Sequence, residues 1–210
     1  MNLANESWKV FDPTYSKTYL HDADTKLLNH LASRILCSGN NPKILDIGCG
    51  NARFYKQLSF FNKSFRYSGF DISKPLVDAA LSEYGHCENF EARIISENFE
   101  GIPLGDYYDF SVSIHVAEIC SSIEKLFQTL SKSAKNCAVV WYEYPRFQFT
   151  ELEIREYVNH DNATKDIKTP YLRNKYSSDF HEYLLSRYSL EVVEQVSISE
   201  KDKLEIYRRK

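Results

Sequence analysis

The chain has 210 residues and a mass of 24.5 kDa, enough to bury one sizeable core and a size that fits one domain better than two. A hydrophobic share of 43% beside 26% charged residues excludes a disordered polypeptide, and a formal charge of -3 excludes a whole-molecule field that would draw in nucleic acid. Five scattered cysteines without a CxxC pair suit free thiols in a reducing compartment, so the expectation is a cytoplasmic protein with a small-molecule partner and no membrane or signal segment.

In chain order, DADTKLLNHLASRIL (22–36) sets Leu27, Leu28, Leu31, Ile35 and Leu36 at helical spacing before a Gly39-Asn40-Asn41-Pro42 stop. Lys43 to Ile47 reads as a buried strand, Arg53 to Ser59 as a helix, and FRYSGFD (65–71) as a second strand. A helix begins around Pro75 with Leu76, Val77, Ala80 and Leu81 as its apolar stripe. ARII (92–95) and YYDFSVSI (107–114) follow as strands, SIEKLFQTLSKSA (122–134) as an amphipathic helix, and CAVVWYEY (137–144) as the most apolar strand.

After Pro145 the alternation stops: ELEIREYV (151–158) is expected to form a short helix followed by a polar loop. A helix at 177–188 and two strands, 190–198 and 203–209, close the chain as an antiparallel hairpin. The expected fold is therefore α/β: a single-domain three-layer sandwich with a mostly parallel seven-stranded sheet. Its parts are an N-terminal cap and helix (1–39), a core (40–144), a substrate-side insertion (145–176) and the final helix and hairpin (177–210).

ILDIGCGNARFY (44–55) sets glycines at the end of the first strand, where a bare backbone approaches a ligand closely. A dinucleotide fingerprint requires a third glycine where this chain has Arg53, and Asp46 would repel a pyrophosphate while suiting a cationic amino-acid group. Asp46-Ile-Gly48-Cys49-Gly50-Asn-Ala52 resembles motif I of the class I S-adenosylmethionine-dependent methyltransferases, with Ala52 in place of its third glycine. Asp71, ending the second strand about twenty residues on, is similar to that family's ribose-binding acid, with Ile72 beside it. A turn or cap aspartate is its plain structural alternative.

The resemblance implies S-adenosylmethionine as cofactor, with Asn98 and Phe99 at the adenine; Glu97 is an equal candidate for the polar contact. Tyr15 is expected to close over the methionine end. Acceptor chemistry belongs at the carboxyl ends of strands four and five, where His115 and Glu143 are the candidate bases. His115 has a second reading as a structural or cofactor-lining residue.

Tyr142, Arg146, Arg173 and Tyr176 are the candidate substrate contacts, and the mixture of cations and aromatics in the insertion suggests a sugar or sugar-phosphate hydroxyl. No HxxxH or HxH spacing occurs, and His115 stands where the family's metal-dependent members place an acid, so no metal is expected. A methyltransferase-like binding module without acceptor chemistry, and a nicotinamide-dependent oxidoreductase, are the alternatives.

Overall fold

The computed structural model describes the backbone of residues 22–158 and 168–210, and the side chains of 24–154 and 173–210 within it. Tyr15 lies outside the described residues. The elements are α1 (Asp22–Leu36), β1 (Lys43–Ile47), α2 (Arg53–Ser59), β2 (Arg66–Asp71), α3 (Lys74–Tyr84), β3 (Phe90–Ile94) and β4 (Tyr108–Ile114). They continue with α4 (Ile123–Ser133), β5 (Ala134–Trp141), β6 (Glu151–Val158), β7 (Lys168–Lys175), α5 (Ser178–Arg187), β8 (Leu190–Ser197) and β9 (Lys203–Arg209).

The described residues form a seven-stranded sheet in the order β3-β2-β1-β4-β5-β9-β8. Its first five strands are parallel, while β9 runs antiparallel to both β5 and β8. Strand order reverses between β1 and β4, and in such sheets the crevice at the carboxyl ends beside that reversal is where ligands bind.

β1 is buried on both faces, and its alternation decides which core each side chain joins. Ile44 packs with Tyr67 and Val112 under α1 and α2, whereas Leu45 and Ile47 join Phe127, Val139 and Trp141 under α4 and α5. Asp46 falls on the Ile44 face and is only 1% exposed, so the chain has put a carboxylate inside an aromatic layer. Full burial of each large apolar side chain contributes about 2 kcal/mol. Of the stripe expected on α3, Leu76, Val77 and Ala80 are buried, but Leu81 is exposed.

The insertion corrects the expected helix. β6 pairs antiparallel with β7 from Glu151↔Lys175 to Val158↔Lys168, as a separate two-stranded sheet. ELEIREYV begins with strict alternation: Glu151 and Glu153 share a face and both hold the Lys175 ammonium at 3.1 Å, while Leu152 and Ile154 share the opposite, exposed face. That period of two, together with a partner strand, overrides the short helical pattern.

Behind the carboxyl end of β5 lies a buried polar network. Glu205 accepts from Tyr207 (2.6 Å), Tyr144 (3.0 Å) and Gln195 (2.9 Å), and pairs with His181 at 3.1 Å. Burial alone would raise its carboxyl, but His181 and the two tyrosine hydroxyls hold it below the usual carboxylate range. A depressed folded value means stability present above the unfolded value and lost as pH falls through the folded one. Glu205→Ala is expected to lower stability by about 3 kcal/mol in urea denaturation at neutral pH, and the gap to wild type narrows in acid, where wild type loses the same interaction.

Candidate functional site

The turn after β1 is built on two glycines with positive φ. At Gly48 (φ 80°) a Cβ would lie 2.1 Å from Val116 Cγ2, so both conformation and space demand glycine. At Gly50 (φ 54°) the nearest atom to a Cβ is Leu76 Cδ1 at 3.9 Å, which leaves an open cradle above the turn. Ala52, the departure from the glycine pattern, adopts the same left-handed region (φ 62°) and caps α2.

The N–H groups that a pyrophosphate would need are already used inside the protein. Gly48 and Cys49 donate to the Phe70 carbonyl (2.7 and 3.2 Å), Ala52 donates to the Cys49 carbonyl (2.9 Å), and Gly50 donates to Asp71 Oδ2 (2.7 Å). A carboxylate therefore organises the turn.

Asp71 Oδ1 accepts from the Ser73 N–H at 2.8 Å. Each oxygen retains further acceptor capacity, so the group is oriented by backbone and still able to receive hydroxyls. Burial raises its carboxyl against those bonds.

Asp46 lies close enough to Asp71 to feel its charge. Tyr67 donates its hydroxyl to Asp46 Oδ2 at 2.6 Å, while Oδ1 is buried with no hydrogen-bond partner among the described residues. Burial pushes this carboxyl up to about 7, the Tyr67 bond opposes the rise, and the nearby Asp71 charge adds to it. Cys49 feels both acids, which together with burial push its thiol well above the ordinary value. An orphaned buried acceptor asks for a donor, and a cationic group entering beside Asp46 would ionise it.

Of the adenine candidates, Asn98 is exposed and its Oδ1 accepts from Lys125 Nζ at 2.8 Å, whereas Phe99 (φ 60°) is buried in the α4-side core. The Glu97 carbonyl receives the Ser121 hydroxyl at 3.4 Å. Ile72 is half-buried beside Asp71.

On the acceptor side, His115 ends β4 in a left-handed conformation (φ 57°), a strain costing about 1 kcal/mol or more. Its Nε2 lies 3.0 Å from Asp24 Oδ1 on α1, and its ring meets the Tyr142 ring edge-on with centroids 5.7 Å apart. Glu118, 1% exposed, accepts the N–H groups of Tyr142 (2.7 Å) and Glu143 (2.9 Å) on Oε1, joining the exits of β4 and β5. Its backbone carbonyl takes the Asn174 N–H at 2.6 Å, so β7 is anchored at the same place.

Glu143, expected as a candidate base, forms a buried ion pair with Arg173 (3.1 Å), and Lys201 stands 3.9 Å away. Arg173 is 4% exposed and covers the Tyr142 ring at 4.3 Å. Two further candidate contacts have partners within the protein: Tyr176 is buried and donates its hydroxyl to the Ala117 carbonyl (2.9 Å), and Arg146 pairs with Glu200 (2.9 Å).

The structure thus gathers His115, Tyr142, Glu143 and Arg173 at one edge and Asp46, Gly48, Cys49, Gly50, Asp71 and Ile72 at the adjoining one. Tyr67 and Asp24, the partners of the central acid and histidine, went unmarked in the sequence because no local pattern links residues 21 and 91 positions apart.

The raised Asp46 value carries a stability consequence. A carboxyl whose folded value exceeds its unfolded one contributes stability that is present below the unfolded value and lost as pH rises through the folded one. Between about pH 4 and pH 7 the ligand-free protein should therefore lose on the order of 4 kcal/mol from this group. Asp46→Asn is expected to flatten the fall of melting temperature over that window and to melt above wild type at pH 8, as measured by ligand-free thermal denaturation.

Comparison with known proteins agrees with this geometry. A family profile described as a methyltransferase domain matches residues 45–140, the segment from β1 to β5. Among solved structures, the CcbJ methyltransferase of Streptomyces caelestis superposes with a TM-score of 0.72 at 10% identity, covering 97% of this chain and 98% of that one. A S-adenosylmethionine-dependent methyltransferase of Mesorhizobium loti gives 0.66 at 12% identity, with 89% and 98% covered. The magnesium protoporphyrin IX methyltransferase of Synechocystis, solved with S-adenosylmethionine, gives 0.66 at 10% identity, with 100% and 98% covered. A search of curated proteins finds no match. Residues 45–140 thus match a methyltransferase domain, and the chain around them has the Rossmann-like fold of solved S-adenosylmethionine-dependent methyltransferases.

Proposed function

We propose that this enzyme methylates a hydroxyl of a small molecule, with S-adenosylmethionine as donor and His115 as the base. The carrying observation is the pair of buried carboxylates at the crevice beside the β1/β4 reversal: Asp46 with an unpartnered oxygen and Asp71 oriented by the glycine turn. Asp46 suits the ammonium of the methionine moiety and Asp71 the ribose hydroxyls, with Gly48, Cys49 and Gly50 as the cradle between them and Asn98 or Glu97 at the adenine edge. When bound, the cofactor supplies a methyl group on a sulfonium, which needs alignment more than activation.

An alcohol acceptor must also give up its proton, and His115 is the group at this edge with a suitable ring. Arg173 and Glu143 shape the opposite wall through Tyr142. The expected preference for a sugar phosphate loses its footing, because Arg146, Arg173 and Lys175 are each ion-paired with a carboxylate. The acceptor is a hydroxylated small molecule without that restriction.

Calorimetric titration with S-adenosylmethionine is expected to show Asp71→Ala weakened at least tenfold, about 1.4 kcal/mol; unchanged affinity would remove the ribose assignment. With a panel of hydroxylated small molecules and a methyl-labelled donor, His115→Gln is expected to bind the donor as wild type does yet transfer the label about a hundredfold more slowly. Full turnover in that variant would make His115 structural.

A further inference from the structure

His115 offers two ring nitrogens, and its surroundings treat them differently. Nε2 faces Asp24 Oδ1 at 3.0 Å, whereas Nδ1 is buried and has no hydrogen-bond partner among the described residues. A neutral imidazole carries its proton on one of them. With the proton on Nδ1, a buried N–H would go unsatisfied and the Nε2 lone pair would be set against a carboxylate oxygen. With the proton on Nε2, the ring donates to Asp24 and Nδ1 keeps its lone pair, which avoids that repulsion and gains a charge-assisted bond.

The ring has little freedom to evade this choice. The His115 N–H is tied to the Val140 carbonyl at 2.9 Å, the backbone is held at φ 57°, and the Tyr142 ring stands edge-on against the imidazole. Among the described residues no three His, Cys, Asp or Glu side chains converge as metal ligands would, so the pairing with Asp24 is not part of a metal centre there.

We propose that Asp24, in the first turn of α1, is a positioning residue that fixes His115 as the Nε2–H tautomer, so that Nδ1 keeps the basic lone pair of the ring. This rests on the reading of His115 as the base. Once Nδ1 is protonated, the imidazolium lies beside the Asp24 carboxylate and within the field of buried Glu118, while Arg173 is held on the Tyr142 ring and charge-balanced by Glu143. α1 thereby belongs to the acceptor site as well as to the core.

The tautomer is readable in the ligand-free protein by long-range proton–nitrogen correlation spectroscopy at alkaline pH, with His115 identified by the resonances lost in His115→Gln. The expected spectrum has an unprotonated Nδ1 and a protonated Nε2. Asp24→Asn, whose amide carbonyl still accepts, keeps that pattern, and Asp24→Leu shows a protonated Nδ1 or an averaged mixture. A protonated Nδ1 in wild type, or an Asp24→Leu spectrum like that of wild type, overturns the assignment. The wild-type spectrum decides even if the leucine variant fails to fold. Full methyl transfer by His115→Gln overturns instead the catalytic reading beneath it, whatever the tautomer.

Discussion

The hydrogen bond from the Gly50 N–H to the Asp71 carboxylate holds the rest of the site in register. It ties the turn after β1 to the end of β2, and it occupies the backbone donor that a phosphate would otherwise claim. A turn closed by an acid presents negative charge where a dinucleotide turn presents bare N–H groups. The same kind of glycine bend is thus closed here by a carboxylate, with Asp71 Oδ2 on Gly50 and Oδ1 on Ser73.

Asp46 adds a cost that the fold carries. A carboxyl buried under Tyr67 with one oxygen unpartnered is destabilising whenever it ionises without a cation beside it. Local violations of packing rules of this kind gather at functional sites in natural proteins. The nearby Glu205 network is the contrasting case: the same burial, with every carboxylate oxygen satisfied, braces the exit of β5.

Much of the fold was legible because its signals are local. The glycines at 48 and 50 answer to their own φ angles, the helix stripes to spacing within one element, and the boundary of α1 agrees with its expected span. ELEIREYV was misread because its strand identity depends on β7, ten residues further on, and on Lys175 sitting between two of its acids. The partners of Glu143, Arg146 and Tyr176 were hidden for the same reason: each is distant in sequence. Arg173, Glu200 and the Ala117 carbonyl give no hint of themselves in the neighbouring residues.

Glu118 has a consequence for how such an enzyme diversifies. Its side chain fastens the start of the post-β5 segment, and its carbonyl fastens the root of the β6–β7 hairpin, while the pocket of Asp46 and Asp71 hangs from β1 and β2. The two halves share the sheet but none of these fastenings. Substitutions along the hairpin can accumulate while the anchoring of Asp46 and Asp71 stays as it was, so the two ends of the sheet are open to selection separately.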